Sequence, residues 1–253
     1  MKALERVATV VALGLVAGVL WAPHPARAKA PVVVELFTAQ GCAPCAQANV
    51  QAAKIADRPG VIVLTWSVEY WDYLGWKDTF AQPAFTVRQK AYARRLGPRD
   101  VYTPQVVVNG SAQASGDDSA TVTALLRKAE AVKRRPLKIR MQAGGRIGVG
   151  SGSVGRGPAD VWLVRFDPRQ QDVSVTAGDN RGVTMVERNV VRQIVRLGAW
   201  TGHATTYRAP PASESGLASA VIVQSGHGGR VIGAMESVPR KPKAVSQKGM
   251  SGR

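Results

Sequence analysis

Cys42 and Cys45 are the only cysteines of the chain, and two residues separate them. At that spacing a Cys-x-x-Cys pair can close a disulfide across one helical turn. If a helix begins there, the first thiol meets unpaired backbone N–H groups and the positive end of the helix dipole, and both favour a thiolate. Thiolate is the nucleophile of thiol–disulfide exchange. Cys42 would attack a substrate disulfide to form a mixed disulfide, and Cys45, one turn deeper, would release the substrate and leave the pair oxidised. Two other readings compete. The pair could be a structural disulfide in a non-catalytic binding module, although so short a loop constrains the unfolded chain little. Reduced, it could carry Cu(I) or another soft metal between two thiolates.

Other chemistries fail on inventory. Of the three histidines, His24 lies in the N-terminal leader, and His203 and His227 lack metal-ligand spacing to the cysteines. No nucleophile motif for Ser/His/Asp hydrolysis occurs, and no glycine-rich phosphate loop follows a strand. No resident metal and no organic cofactor is expected.

The elements that must position the cysteines can be read around them. Val32–Thr38 is an apolar, strand-like run, and Cys45–Ala56 is alanine-rich and helix-like, ending at the turn cluster Asp57-Arg58-Pro59-Gly60. Val61–Val68 reads as a central strand and Phe80–Leu96 as a helix stopped by Gly97-Pro98. Gln105–Val108 is a third strand closed by Asn109-Gly110, and Ser119 looks like the N-cap of a helix over Ala120–Lys133. A proline cannot serve inside a central strand, so Pro104 fits either an ordinary trans proline at the strand start or a cis-proline turn before the third strand, where Thr103 would present its backbone to an extended substrate. The aromatic stretch Trp66, Tyr70, Trp71, Tyr73, Trp76 either walls the redox site or plugs a domain interface, and Trp71 and Trp76 are its substrate-binding candidates. Glu35, inside the first strand, is a candidate proton carrier for Cys45, or else a charge at a strand edge.

Composition changes near Pro136. Residues 144–157 contain seven glycines, and thereafter short β-rich runs dominate: Val161–Phe166, Asp172–Thr176, Val183–Val195, Ala204–Arg208, Ala218–Gln224 and Val231–Glu236. Asp179-Asn180-Arg181-Gly182 reads as a turn, with Arg181 able to reach a domain interface. The expected organisation is a signal peptide over 1–28, an α/β thioredoxin-like domain over 29–136, a smaller, mainly antiparallel, sandwich-like β domain over 137–238, and a basic disordered tail over 239–253.

The basic Lys2 and Arg6, the 14-residue apolar run Val7–Leu20 and the small-x-small Ala26-Arg27-Ala28 fit a cleaved signal peptide, with a retained membrane anchor as the alternative. Cleavage implies a periplasmic or secreted protein. The formal charge of +17 then points to an anionic envelope surface rather than to nucleic acid, because the basic residues are dispersed and no recognition motif accompanies them. Expected partners are a protein or small-molecule thiol or disulfide, together with a membrane-bound or periplasmic thiol donor.

Several motifs together sharpen this reading. Val34-Glu35-Leu36-Phe37-Thr38 with Gln40-Gly41-Cys42, then Tyr70-Trp71-Asp72-Tyr73-Leu74-Gly75-Trp76-Lys77-Asp78, Arg88-Gln89, Val101-Tyr102-Thr103-Pro104-Gln105, Gly178-Asp179-Asn180-Arg181-Gly182 and Asn189-Val190-Val191-Arg192 resemble the DUF1223 family. The resemblance spans nearly all of the chain after the leader and implies export and a thioredoxin-like fold. Members commonly read Cys-Ser-Ser-Cys-Pro-Pro where this chain has Cys42-Ala43-Pro44-Cys45-Ala46, and often His-Val-Asp where it has Ser67-Val68-Glu69. Proline before the second cysteine resembles the Gly-Pro dipeptide of reducing thioredoxins.

Overall fold

The computed structural model describes residues 29–98, 100–226 and 228–238. The leader over 1–28, the basic tail over 239–253 and His227 lie outside the described residues.

Strand β1 (Val32–Thr38) is buried along its whole length, as befits a continuous apolar run with sheet on both sides. Helix α1 (Cys45–Ala56) starts at the second cysteine, and β2 (Val61–Ser67) lies parallel to β1 from Val32↔Val61 to Thr38↔Ser67. Helix α2 (Pro83–Leu96) carries proline in its first turn and ends on Gly97, whose φ of 88° suits only glycine well. Strands β3 (Gln105–Val108) and β4 (Ala112–Ser115) form a hairpin whose turn uses positive φ at Asn109 and Gly110. Helix α3 (Ser119–Ala131) follows. Its cap is Asp118, which accepts a hydrogen bond from the Thr121 N–H, so the cap falls one residue before the expected Ser119.

The β-rich half contributes β5 (Ile139–Gln142), β6 (Arg146–Val149), β7 (Ala159–Asp167), β8 (Gln171–Ser174), β9 (Thr184–Glu187), β10 (Val190–Trp200), β11 (Thr205–Arg208), β12 (Ala218–Ser225) and β13 (Val231–Ser237). Part of the glycine-rich stretch is therefore a tight hairpin between β5 and β6. The expected single run Val183–Val195 is broken at Asn189, which sits at φ 54° and turns the chain between β9 and β10. Its side chain explains the break: Nδ2 donates to the Val63 carbonyl at 2.9 Å, tying the turn to β2.

The long-range arrangement is one mixed, eight-stranded sheet in the order β13-β12-β7-β10-β2-β1-β3-β4. Strands from both sides of the composition change near Pro136 join in it, because β10 meets β2 in parallel at Val190↔Thr65. The Thr65 N–H donates to the Asn189 carbonyl at 3.0 Å and its hydroxyl to the Arg188 carbonyl at 2.7 Å. Two further sheets accompany it, a three-stranded β11-β6-β5 and the β8-β9 hairpin. Alternation along β1 divides the packing. Val32, Val34 and Leu36 face Ala48 and Ala52 of α1 and Val122 and Leu126 of α3. Val33 and Phe37 share a core with Trp66, with Phe85 and Tyr92 of α2, and with both cysteines. The three-stranded sheet covers the far half through Ile147, Val149, Val161, Leu163 and Trp200.

Candidate functional site

Cys42 and Cys45 are joined in a disulfide at the junction between β1 and α1, with Cα atoms 5.4 Å apart. The Cys45 N–H donates to the Cys42 carbonyl, so the motif makes the first turn into the helix. No side chain caps α1 and its first turn holds no acid. The helix dipole therefore acts on the pair without an acidic counter-charge from that first turn. Both cysteines have no exposed surface. The cysteine motif is covered.

Two segments close it. The first is the aromatic loop after β2, which contains a single 3-10 turn over Asp72–Leu74. A Cβ placed on Gly41 would stand 3.6 Å from the Trp71 carbonyl oxygen. The Trp71 indole N–H donates to the Thr103 hydroxyl at 2.7 Å, so this side chain spans from the cysteine motif to the proline loop. The Thr103–Pro104 peptide is cis. Pro104 is buried, and its carbonyl accepts from Gly116 N–H at 2.8 Å. A Cβ on Gly116 would meet Pro104 and Ala48 of α1 within 3.2 Å, which places the proline loop against the cysteine-bearing helix.

The second segment is the turn at 178–182. Asn180 donates from Nδ2 to the carbonyls of both Gln40 and Cys42, at 2.9 and 2.7 Å. Arg181, the residue singled out from the sequence, is exposed, and its neighbour makes the contact across the chain. The signal for Asn180 was weak, since asparagine in a turn ordinarily serves its own backbone.

Gln40 is the hub of the closure. Its side-chain oxygen accepts from the Trp76 indole N–H at 3.0 Å and from the Thr79 N–H at 3.1 Å, and its Nε2 donates to the Thr79 hydroxyl. Its backbone N–H donates to Asp78 at 2.8 Å, and the other oxygen of that carboxyl accepts from Phe80 and Ala81 N–H. Burial pushes Asp78 up to about 6; those three N–H groups oppose the shift, and Asp72 adds to it. Glu187, at the end of β9, is fully buried, and neither of its oxygens finds a hydrogen-bond partner among the described residues. Burial pushes it up to about 8, the Asp78 charge adds to this, and Gln40 and Arg192 pull the other way. Two carboxyls with raised pKa values thus flank Gln40. From the sequence Asp78 is one of three loop carboxylates, with Glu69 and Asp72, that are weak acid–base candidates and more ordinarily turn caps, and nothing marks Glu187, which sits in a strand of alternating pattern.

Glu35 occupies a different setting. Arg88 Nε and Nη2 donate to its two oxygens at 2.5 and 2.9 Å, and the Tyr92 hydroxyl donates to it as well. Gln224 completes the group by donating to Tyr92 at 2.9 Å and accepting from Arg88. Burial works against the Arg88 charge, but Glu35 and then Tyr92 outweigh it and hold Arg88 above its ordinary value. Both oxygens of Glu35 are occupied, and no hydrogen bond joins it to either cysteine. The sequence-derived candidates therefore separate: Cys42, Cys45, Trp71, Trp76, Thr103 and Pro104 belong to one region, and Glu35 to a saturated ion pair elsewhere.

Fold and site together define a mixed α/β protein with a lone, covered Cys-x-x-Cys disulfide between a central strand and a helix. The profile of the family described as "Protein of unknown function (DUF1223)" matches residues 33–224, and the chain belongs to that family. Among solved structures it is similar to a protein from Agrobacterium tumefaciens, with 32% identity, a TM-score of 0.70, and 86% of this chain and 98% of that one covered. It is also similar in fold to HBP35 of Porphyromonas gingivalis, at 13% identity and a TM-score of 0.58, covering 88% of this chain and 80% of that one. A comparison with curated proteins gives no match.

Proposed function

We propose that the protein is an exported thiol–disulfide exchange module with a thioredoxin-like N-terminal unit, and that it keeps its cysteine pair under a closed aromatic loop. The observation that carries this reading is the position of the only disulfide, at the N-terminus of α1 and against the Trp71–Thr103–Pro104 wall. The basic start and apolar run of residues 1–28 support export.

In the exchange, a thiolate attacks one sulfur of a disulfide, a new S–S bond forms, and the displaced sulfur leaves as thiolate. From the reduced pair, Cys42 attacks the substrate disulfide and Cys45 then attacks the Cys42 sulfur. The substrate gains two electrons and two protons, and the pair loses them. The same steps run in reverse when a substrate dithiol meets the oxidised pair. In-line attack needs an open sulfur, and both sulfurs are covered, so exchange requires the Trp71 segment to move aside. Asp78 and Glu187 lie beside Gln40, two residues before Cys42, and burial raises the pKa of both carboxyls.

Complete burial of both sulfurs favours one second reading, a structural disulfide in a binding module. The Cys45→Ser variant separates the two. Exchange function predicts that alkylation of Cys42 in this variant has a midpoint clearly below about 8.5, and that Trp71→Ala added to it speeds the reaction at least tenfold. A midpoint at or above that value, with no mixed disulfide on a model aromatic disulfide in either variant, rejects the exchange reading and leaves the structural one.

A further inference from the structure

The half of the eight-stranded sheet built from β7, β10 and β12 is covered unequally. One face carries the three-stranded sheet. Over part of the other face passes α2, and beside it lies a cleft of about 980 Å³. That volume is at the upper end of what small-molecule sites span. The floor and walls are mostly apolar: Trp162 and Ile194 from the sheet, Ala84, Val87 and Ala91 from α2, and Pro158 before β7. Val87 is 64% exposed, a large aliphatic side chain on the cleft wall with no covering element.

The charged groups of the cleft are nearly all cationic. Arg88, Arg95, Arg156 and Arg196 line it, against the single acid Asp160. Asp160 is taken by Arg196 at 2.7 Å and Glu35 by Arg88 at 2.5 Å. Arg95 and Arg156 have no acidic partner among the described residues, and they come from opposite walls, one from α2 and one from the loop before β7. At the floor Arg88 is held beside the rings of Trp66, Tyr92 and Trp162, 5.1 to 5.7 Å from their centroids. Its Nε and Nη2 donate to Glu35, Tyr92 and Gln224, and its Nη1 makes no hydrogen bond among the described residues.

An apolar trough with two uncompensated guanidinium groups at its mouth is complementary to a molecule with an apolar body and one anionic end. A guanidinium pairs with a carboxylate through two parallel N–H donors, so a carboxylate suits this mouth better than a neutral head would. We propose that this cleft is a binding site for a free organic carboxylate with an aliphatic or aromatic body. The body would lie on Trp162, Ile194 and Val87, and the carboxylate would lie between Arg95 and Arg156. The site is separate from the disulfide and does not depend on its turnover.

The test titrates the full oxidised chain with 1-anilinonaphthalene-8-sulfonate, an aryl anion whose fluorescence reports an apolar site, and then displaces it with dodecanoate. The expected result is one saturable site, displaced by dodecanoate and not by dodecyltrimethylammonium at equal concentration. The Arg95→Ala/Arg156→Ala double variant and, separately, Val87→Glu should each weaken binding at least tenfold with an unchanged thermal midpoint, since all three side chains are exposed. The proposal is overturned by lack of saturable binding, by equal displacement with the cationic amphiphile, or by affinities within twofold of the parent in both variants. Dodecanoate binding only when it is embedded in neutral vesicles would overturn it too, because a lipid surface would then be the ligand.

Discussion

Two buried carboxylate groups divide the interior of this protein. Both oxygens of Glu35 have partners: Arg88, Tyr92 and Gln224 close a network in which the carboxylate and guanidinium charges cancel. Around Glu187 the reverse holds, with two oxygens buried and unpaired and the Asp78 carboxyl as a neighbour. The first group is a scaffold that joins β1, α2 and β12. The second sits on the closure of the disulfide, where burial pushes the Glu187 pKa up to about 8. The contrast is one of pairing: Glu35 has a buried counter-charge in contact, and Glu187 has none at ion-pair distance among the described residues.

Substitutions can break that contrast, and the largest effect should come from the scaffold. Glu35→Gln leaves Arg88 charged and unpaired in the core and is expected to cost about 3–5 kcal/mol in urea unfolding. The paired change Glu35→Leu with Arg88→Met should recover most of that loss. A single variant within about 1 kcal/mol of the parent would erase the distinction.

Glu187 comes next. Its folded-state pKa of about 8 lies above its ordinary 4.5, so over that interval the folded chain binds a proton that the unfolded chain has released. Stability therefore falls as pH rises from about 4.5 to 8 and loses nothing more to this group above it. Asp78 acts in the same sense between 3.8 and about 6. Between pH 6 and 8 the Glu187 contribution falls by about 2 kcal/mol, from roughly 1.4 kcal/mol per pH unit with the slope halved as the group titrates at about 8. Glu187→Gln should flatten the curve of unfolding free energy against pH over that window, with Asp78, Arg192 and Gln40 unchanged around it. A slope equal to the parent's would show that Glu187 is ionised in the folded chain.

Asn180→Ala removes two donors to the Gln40 and Cys42 carbonyls and should cost about 1–3 kcal/mol. It should also speed reduction of the disulfide by dithiothreitol, a readout that a merely local loss of stability near the 178–182 turn would not move. The smallest effect is expected at Arg58→Ala, whose ion pair with Glu130 has both side chains 34–40% exposed. Such a pair contributes about 0–1 kcal/mol.

Local elements were legible in the sequence and their assembly was only partly so. The runs around Cys42, the Asn109-Gly110 turn, the helix stop at Gly97 and the strand after Pro104 carry short-range signals of periodicity, turn chemistry and backbone restriction. The joining of β10 to β2 carries none. It rests on a single register position, Val190↔Thr65, and on Asn189 reaching back 126 residues to Val63. Composition marks a change near Pro136, yet hydrogen bonding carries the sheet across it. For the site, the cysteine pair, Trp71, Trp76 and the proline loop were readable from motif and order. Gln40, Asp78, Asn180 and Glu187 were not, since each matters through partners far away in sequence. Glu35 shows the same limit from the other side: its place in a strand before the cysteines suggested a proton carrier, and its partner Arg88 lies 53 residues on.

The reduction potential of the Cys42–Cys45 pair, measured by equilibrating the full chain against a graded dithiothreitol or glutathione couple, tests the exchange function most directly. Structural disulfides lie below about −300 mV, and exchanging pairs lie above it. The account predicts a value above about −300 mV, with equilibrium reached faster in Trp71→Ala than in the parent. A value below that line, with the same slow approach in both proteins, would contradict it.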